Sequence, residues 1–95
     1  MLFVILLFFV LKDKRAFFVK HRGALVQNVK NVANIVDDLI SGGFSAELAA
    51  SVSAESTDPG RMRGILSGVS SKKLAAVLFD ALMQHQNDVM MELLE

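Results

Sequence analysis

The sequence predicts an all-α fold, a six-helix antiparallel bundle formed by residues 15–95. Apolar residues recur at helical spacing, glycine, proline and serine separate the periodic segments, and no alternating strand pattern competes. The chain has 95 residues, of which 53% are hydrophobic and 21% charged. The length suits one folded domain, and the composition excludes a disordered chain. Cysteine is absent, which excludes disulfides, thiolate zinc sites and cysteine nucleophiles.

The first two predicted helices carry clear apolar faces. The first spans residues 16–29 and places one set of side chains on the same side: Phe17, Phe18, His21, Leu25 and Val29. The second spans residues 31–41, and its apolar residues follow the i, i+3, i+4, i+7, i+8 pattern: Val32, Ile35, Val36, Leu39 and Ile40. Gly42 and Gly43 are expected to end it, because glycine takes the left-handed conformation without strain.

Side chains that accept hydrogen bonds from free helix N–H groups mark the starts of the other four helices. The expected capping residues are Ser45, Asp58, either Ser70 or Ser71, and Asn87. Pro59 follows Asp58 and suits the first turn of the fourth helix, residues 59–66. We expect a core that draws on all but the last helix: Leu25, Val32, Ile35, Val36, Leu39, Leu48, Met62, Leu66, Leu74, Leu78 and Leu82.

Residues 1–11 form an apolar run that is followed, not preceded, by charges. A membrane span needs about 20 apolar residues, and a secretory signal places its charges before the apolar run. We therefore expect residues 1–14 to be an apolar leader or the boundary segment of a longer protein, and residues 1–11 to be dispensable for the fold. A membrane-attached helical domain that uses this leader is the alternative.

The zero net charge conceals four blocks of charge. Residues 1–36 hold six basic side chains and one acid, and residues 37–58 hold five acids and no base. Residues 61–73 then hold four bases and no acid, and residues 80–95 hold four acids and no base. If these blocks fold onto different faces, the molecule is dipolar and attracts copies of itself or a similarly patterned partner. Four solvated helix faces are the alternative interpretation.

The sequence carries no recognisable pattern for catalysis, a cofactor or a metal. His21 and His85 lack the spacing of a helical metal site, and the adjacent Asp37 and Asp38 point about 100° apart on a helix. Glycine-rich phosphate loops and nucleophile elbows are absent. We therefore expect a protein that is not an enzyme and has no cofactor. Nucleic-acid binding by the basic first helix is a weaker alternative, because it requires a dominant positive field.

Four segments resemble the caspase recruitment domain (CARD) of the death-fold superfamily. Residues 17–26 (FFVKHRGALV) are similar to its opening helix, and residues 31–39 (NVANIVDDL) to its second. Residues 54–63 (AESTDPGRMR) resemble the junction of helices 3 and 4 in the ASC adaptor and the NLR-type inflammasome sensors, and residues 90–95 suit the sixth helix. The resemblance implies a Greek-key bundle that assembles or recruits inflammasome or caspase signalling components in the cytoplasm, by filament-like oligomerisation.

The same resemblance implies a charged contact between copies. Arg22 and Arg63 fall where ASC-like domains present basic side chains, and Asp37 falls where they present the acidic counterpart, with Asp38 beside it. Lys20 and Asn28 complete the predicted interaction residues, although the family has a second arginine where Asn28 stands. The implied partners are an ASC-like adaptor or an inflammatory caspase, and the chain itself. Neither nucleic acid nor a membrane is expected as a partner.

Overall fold

The computed structural model describes residues 14–94, and within that range the chain is helical with no β-strand. Seven helical segments follow one another: α1 (Lys14–Lys20), α2 (Arg22–Asn28), α3 (Val32–Ser41), α4 (Ala46–Ala54), α5 (Asp58–Gly68), α6 (Lys72–His85) and α7 (Asn87–Leu94). The predicted all-α bundle is confirmed. The predicted leader, residues 1–14, lies outside the described residues except for Lys14, so its role stays a prediction.

The first predicted helix consists of two segments, which explains why residues 14–94 contain seven helices and not six. His21 separates α1 from α2, with φ −105° and ψ 17°, outside the helical region. Backbone hydrogen bonds continue across this residue, from His21 N to Phe17 O and from Leu25 N to His21 O, each 3.0 Å. Because Phe17 and Leu25 are both buried, the apolar face continues through the break.

Two of the predicted helix caps are confirmed. The Ser45 hydroxyl accepts a hydrogen bond from Leu48 N at 3.4 Å, and the Ser71 hydroxyl accepts one from Leu74 N at 3.1 Å. Each satisfies a backbone N–H that has no partner inside its own helix. These two serines therefore fix the starts of α4 and α6.

Two other predicted caps are wrong by one residue. Thr57, not Asp58, caps α5, because its extended backbone lets the hydroxyl accept from Gly60 N at 3.1 Å. Asp58 is the first residue of the helix, and its Oδ1 accepts instead from Arg61 Nη1 and from Val32 N, both at 3.5 Å. Asn87 likewise lies inside α7, and its Nδ2 donates to the carbonyl oxygen of Met83 at 3.4 Å.

Most of the predicted core is confirmed. The buried members are Leu25, Val32, Ile35, Val36, Leu39, Met62, Leu78 and Leu82, whereas Leu66 and Leu74 are partly buried and pack against them. The prediction for Leu48 is wrong, because α4 turns Ala49 and Val52 inward and leaves Leu48 41% exposed. Ile40, at the edge of the predicted face of α3, is also exposed, at 46%.

The packing of the helices sets the positions of the charged residues. Helix α3 packs against α6, α4 and α5, and α1 packs against α6. Helix α5 also packs against α2 and α4, which brings the second half of the first predicted helix beside the fourth predicted helix. Gly42 allows the end of α3 to approach α6 closely, since a Cβ at this position would lie 2.7 Å from the side chain of Val77.

Candidate protein-interaction surfaces

Arg22 and Arg63 lie on one surface, formed by α2 and α5. Arg22 begins α2, and its Nη2 donates to the hydroxyl of Ser67 near the end of α5, at 3.5 Å. Arg63 precedes Ser67 by four residues on α5, and residues four apart lie on the same side of a helix. All three residues are exposed. We call this the basic surface and define it by Arg22 and Arg63.

A groove of about 500 Å³ borders the basic surface. Arg15 and Arg22 lie at this groove, and its apolar lining comes from Phe18, Val19, Leu66 and Val69. Arg15 Nη1 donates to the backbone oxygen of Ser70 at 3.3 Å, so α1 is connected to the loop that follows α5. Arg15 was not among the predicted site residues, although it belongs to the first block of basic residues.

The two other residues predicted on this side of the molecule differ in their contacts. Lys20 is exposed at the end of α1. Asn28 is exposed at the end of α2, but its Nδ2 donates to the backbone oxygen of Ala24 at 2.8 Å. The amide of Asn28 is therefore engaged within its own helix.

His21 lies between Lys20 and Arg22 in the sequence, but its side chain is unsuited to carry a positive charge at neutral pH. Its ring packs against Phe17, with 4.6 Å between the ring centroids. Burial, and secondarily the positive charge of Lys20, lower the pKa of the His21 imidazole from its usual 6.5. His21 is partly buried, being neither fully buried nor fully exposed.

Asp37 and Asp38 differ in their surroundings although they are adjacent on α3. Asp37 is exposed, whereas the Oδ2 of Asp38 lies 2.8 Å from the Nε2 of His85 at the end of α6. Asp38 thus forms a contact within the chain, between two helices that pack together. We call the exposed side of α3 that carries Asp37 the acidic surface.

The basic surface and the acidic surface do not neutralise each other within residues 14–94. In that part of the chain, Arg61 forms an ion pair with Asp58 at 3.5 Å, and His85 lies 2.8 Å from Asp38. Neither pair includes Arg22, Arg63 or Asp37, so none of these three charges is neutralised by an ion pair within residues 14–94. Over the same residues, histidine and carboxylate side chains form no group of three that could hold a metal ion.

A small all-α bundle with separate basic and acidic surfaces has the features of a protein-interaction module. The model of the caspase recruitment domain family matches residues 15–95, and the chain belongs to this family. Its fold is therefore the all-α death fold, and CARDs bind other CARD-containing proteins homotypically. A search of curated proteins found no significant match to the chain. None of the helices within residues 14–94 is long and apolar enough to cross a membrane.

Proposed function

We propose that this CARD assembles into filament-like oligomers through contact between the basic surface of one copy and the acidic surface of the next. The observation that carries the proposal is the placement of three charges that have no ion pair within residues 14–94. Arg22 and Arg63 share one surface, and Asp37 is exposed on another helix. Opposite charges on two surfaces favour a head-to-tail arrangement of copies.

Repetition of the contact compensates for the weakness of each ion pair. An exposed ion pair contributes only about 0–1 kcal/mol, so one pair does not hold two copies together. In an open head-to-tail assembly each inner subunit uses both of its surfaces, and additional contacts between neighbours act together. Assembly is therefore expected to be cooperative and to depend on protein concentration.

The same surfaces offer a way to recruit a partner CARD. The similarity of residues 54–63 to the CARDs of the ASC adaptor and the NLR-type sensors points to an ASC-like adaptor or an inflammatory caspase. Such a partner would present an acidic side chain to Arg22 and Arg63, or a basic side chain to Asp37. Under this proposal the chain acts as a connector in cytoplasmic inflammasome or caspase signalling, without a catalytic role of its own.

Charge reversal in the 95-residue chain tests the proposal. Wild-type protein is expected to scatter light and form filaments in negative-stain images at low salt, whereas Asp37→Arg abolishes both and keeps its helical circular dichroism. Adding Arg22→Asp and Arg63→Asp to Asp37→Arg is expected to restore part of the assembly, since complementary charges face each other again.

Asp80→Arg is the matched control, because Asp80 is exposed on α6. It is expected to assemble like wild type. Assembly of Asp37→Arg at the wild-type level would show that the charged contact is wrong. Duplex DNA binding that depends on Arg22 and Arg63, without self-assembly, would instead favour the nucleic-acid alternative.

A further inference from the structure

Ser67 lies next to both arginines of the basic surface. Its hydroxyl accepts a hydrogen bond from Arg22 Nη2 at 3.5 Å, and Arg63 lies one turn earlier on the same side of α5. Neither arginine belongs to the ion pairs found within residues 14–94. The exposed Ser67 hydroxyl thus contacts the guanidinium of Arg22, and Arg63 lies one helical turn away on the same helix face; neither arginine has a carboxylate partner within residues 14–94.

We propose that Ser67 is a phosphorylation site, that Arg22 and Arg63 hold the phosphate, and that this modification inactivates the basic surface. The inference about assembly rests on the proposed function, whereas the binding of the phosphate by the two arginines does not. The required co-reactants are ATP and a serine kinase that selects basic residues before its acceptor, because Arg61 and Arg63 precede Ser67.

The transfer itself is ordinary phosphoryl chemistry. The Ser67 Oγ forms a bond to the γ-phosphorus of ATP as the bond from that phosphorus to the β,γ-bridging oxygen breaks. ADP leaves with the electron pair of the broken bond, and the hydroxyl proton passes to the catalytic base of the kinase. Ser67 is the penultimate residue of α5, and helix ends open more readily than helix interiors, which gives the kinase access.

The attraction of the two arginines for the phosphate exceeds the repulsion between the phosphate and the C-terminal end of the helix. A phosphate carries a charge of about −1.5 to −2 at neutral pH, and the C-terminal end of a helix repels it with a partial charge of about −0.5. Arg22 and Arg63 together supply two full positive charges and planar donors that fit phosphate oxygens.

The bound phosphate would remove the attraction between copies. Its charge of about −1.5 to −2 offsets the two positive charges of Arg22 and Arg63, so the surface that faces the acidic surface of the next copy has a net charge near zero. The basic surface would then no longer attract Asp37, while the fold and the acidic surface stay unchanged. Phosphorylation therefore acts on one of the two complementary surfaces.

The first experiment measures the phosphate without any assembly. Phosphoserine is incorporated at position 67 in the Asp37→Arg chain, and the second pKa of the phosphate is followed by ³¹P NMR. We expect this pKa to lie below the ordinary value of about 6, and to rise by about half a unit or more when Arg22→Gln and Arg63→Gln are added. Equal pKa values with and without the two arginines would overturn the proposed binding of the phosphate.

The second experiment measures assembly in the wild-type background. Phosphoserine at position 67 is expected to raise the critical concentration for assembly at least about tenfold, whereas phosphoserine at Ser53, exposed on α4, changes it little. Phosphatase treatment is expected to restore assembly. Equal effects at the two positions would overturn the inference, since added charge alone would explain them.

The outcomes separate this inference from the proposed function. If the unmodified chain does not assemble, the proposed function fails, and the NMR measurement still decides whether the arginines hold the phosphate. If the unmodified and Ser67-phosphorylated chains assemble equally, the inference fails and the proposed function stands. A mixture of serine kinases that select upstream arginine is expected to modify Ser67 with ATP, and mass spectrometry that finds no phosphate there would overturn its assignment as an acceptor.

Discussion

At the scale of single residues, Asp37 and Asp38 show how one peptide bond separates two roles. Asp38 forms a 2.8 Å contact with His85 and so connects α3 to α6, whereas Asp37 is exposed. The contact of Asp38 is partly exposed to solvent, with 42% of the Asp38 side chain and 29% of the His85 side chain accessible. Its contribution to stability is therefore in the range of a surface pair, up to about 1 kcal/mol.

This difference predicts opposite effects of two matched substitutions. Asp38→Asn is expected to lower the free energy of unfolding by less than about 1 kcal/mol and to leave assembly largely intact. Asp37→Asn is expected to leave stability unchanged and to weaken assembly, because it removes a charge of the acidic surface. Urea unfolding and light scattering of both variants provide the comparison. The same loss of assembly in both variants would contradict the separation of roles.

His21 predicts a pH effect that is also a property of one residue. Its folded-state pKa lies below 6.5, so the unfolded chain binds the proton more readily. Stability is therefore expected to fall as the pH drops through and below about 6.5, and His21→Gln is expected to reduce this fall. Histidine NMR titration measures the pKa directly. Lys20→Gln is expected to raise the pKa of His21, whereas Lys73→Gln, at the start of α6, is expected to leave this pKa unchanged. A pKa of His21 at or above 6.5 would contradict the prediction.

At the scale of helices, α3 and α4 differ in how strongly their sequences determine a buried face. Along α3, apolar residues are separated by polar ones, so only one face can turn inward, and Leu39 is fully buried there. Helix α4 offers alanine, leucine and valine on several sides, and the structure buries only Ala49 and Val52. The orientation of α4 is therefore decided by its packing against α5 and α3.

Two leucine substitutions test this contrast. Leu39→Ala is expected to cost about 2–5 kcal/mol of unfolding free energy, because it leaves a cavity at a fully buried site. Leu48→Ala, at a position 41% exposed, is expected to cost markedly less, about 1 kcal/mol or below. Chemical denaturation measures both. Similar losses in the two variants would mean that α4 packs through a different face in solution.

The contrast between α3 and α4 also explains which parts of the fold and of the candidate site the sequence could predict. Regular spacing predicted the buried face of α3, and hydroxyl side chains predicted the starts of α4 and α6. The break at His21 was missed because the apolar face continues through it. The contacts of Arg22 with Ser67 and of Asp38 with His85 join residues far apart in the sequence, and no local pattern encodes them.

At the scale of the whole molecule, the two surfaces predict a salt-dependent assembly. Exposed charges are screened over about 8 Å at physiological ionic strength and over shorter distances at higher salt. The critical concentration for assembly is therefore expected to rise steadily from about 50 mM to 500 mM salt. Sedimentation at a series of salt concentrations measures it. Assembly that strengthens with salt would indicate an apolar contact, such as one at the groove that contains Val19.

The way in which α3 is fixed has a consequence for the entropy of association. Asp58 Oδ1 accepts from Val32 N at the start of this helix, Asp38 contacts His85 near its end, and Gly42 lies against Val77 just beyond it. The backbone that carries Asp37 is thus ordered before a partner arrives, so binding there needs to immobilise only side chains. Loosening α3 without changing its charge would therefore weaken association through conformational entropy alone.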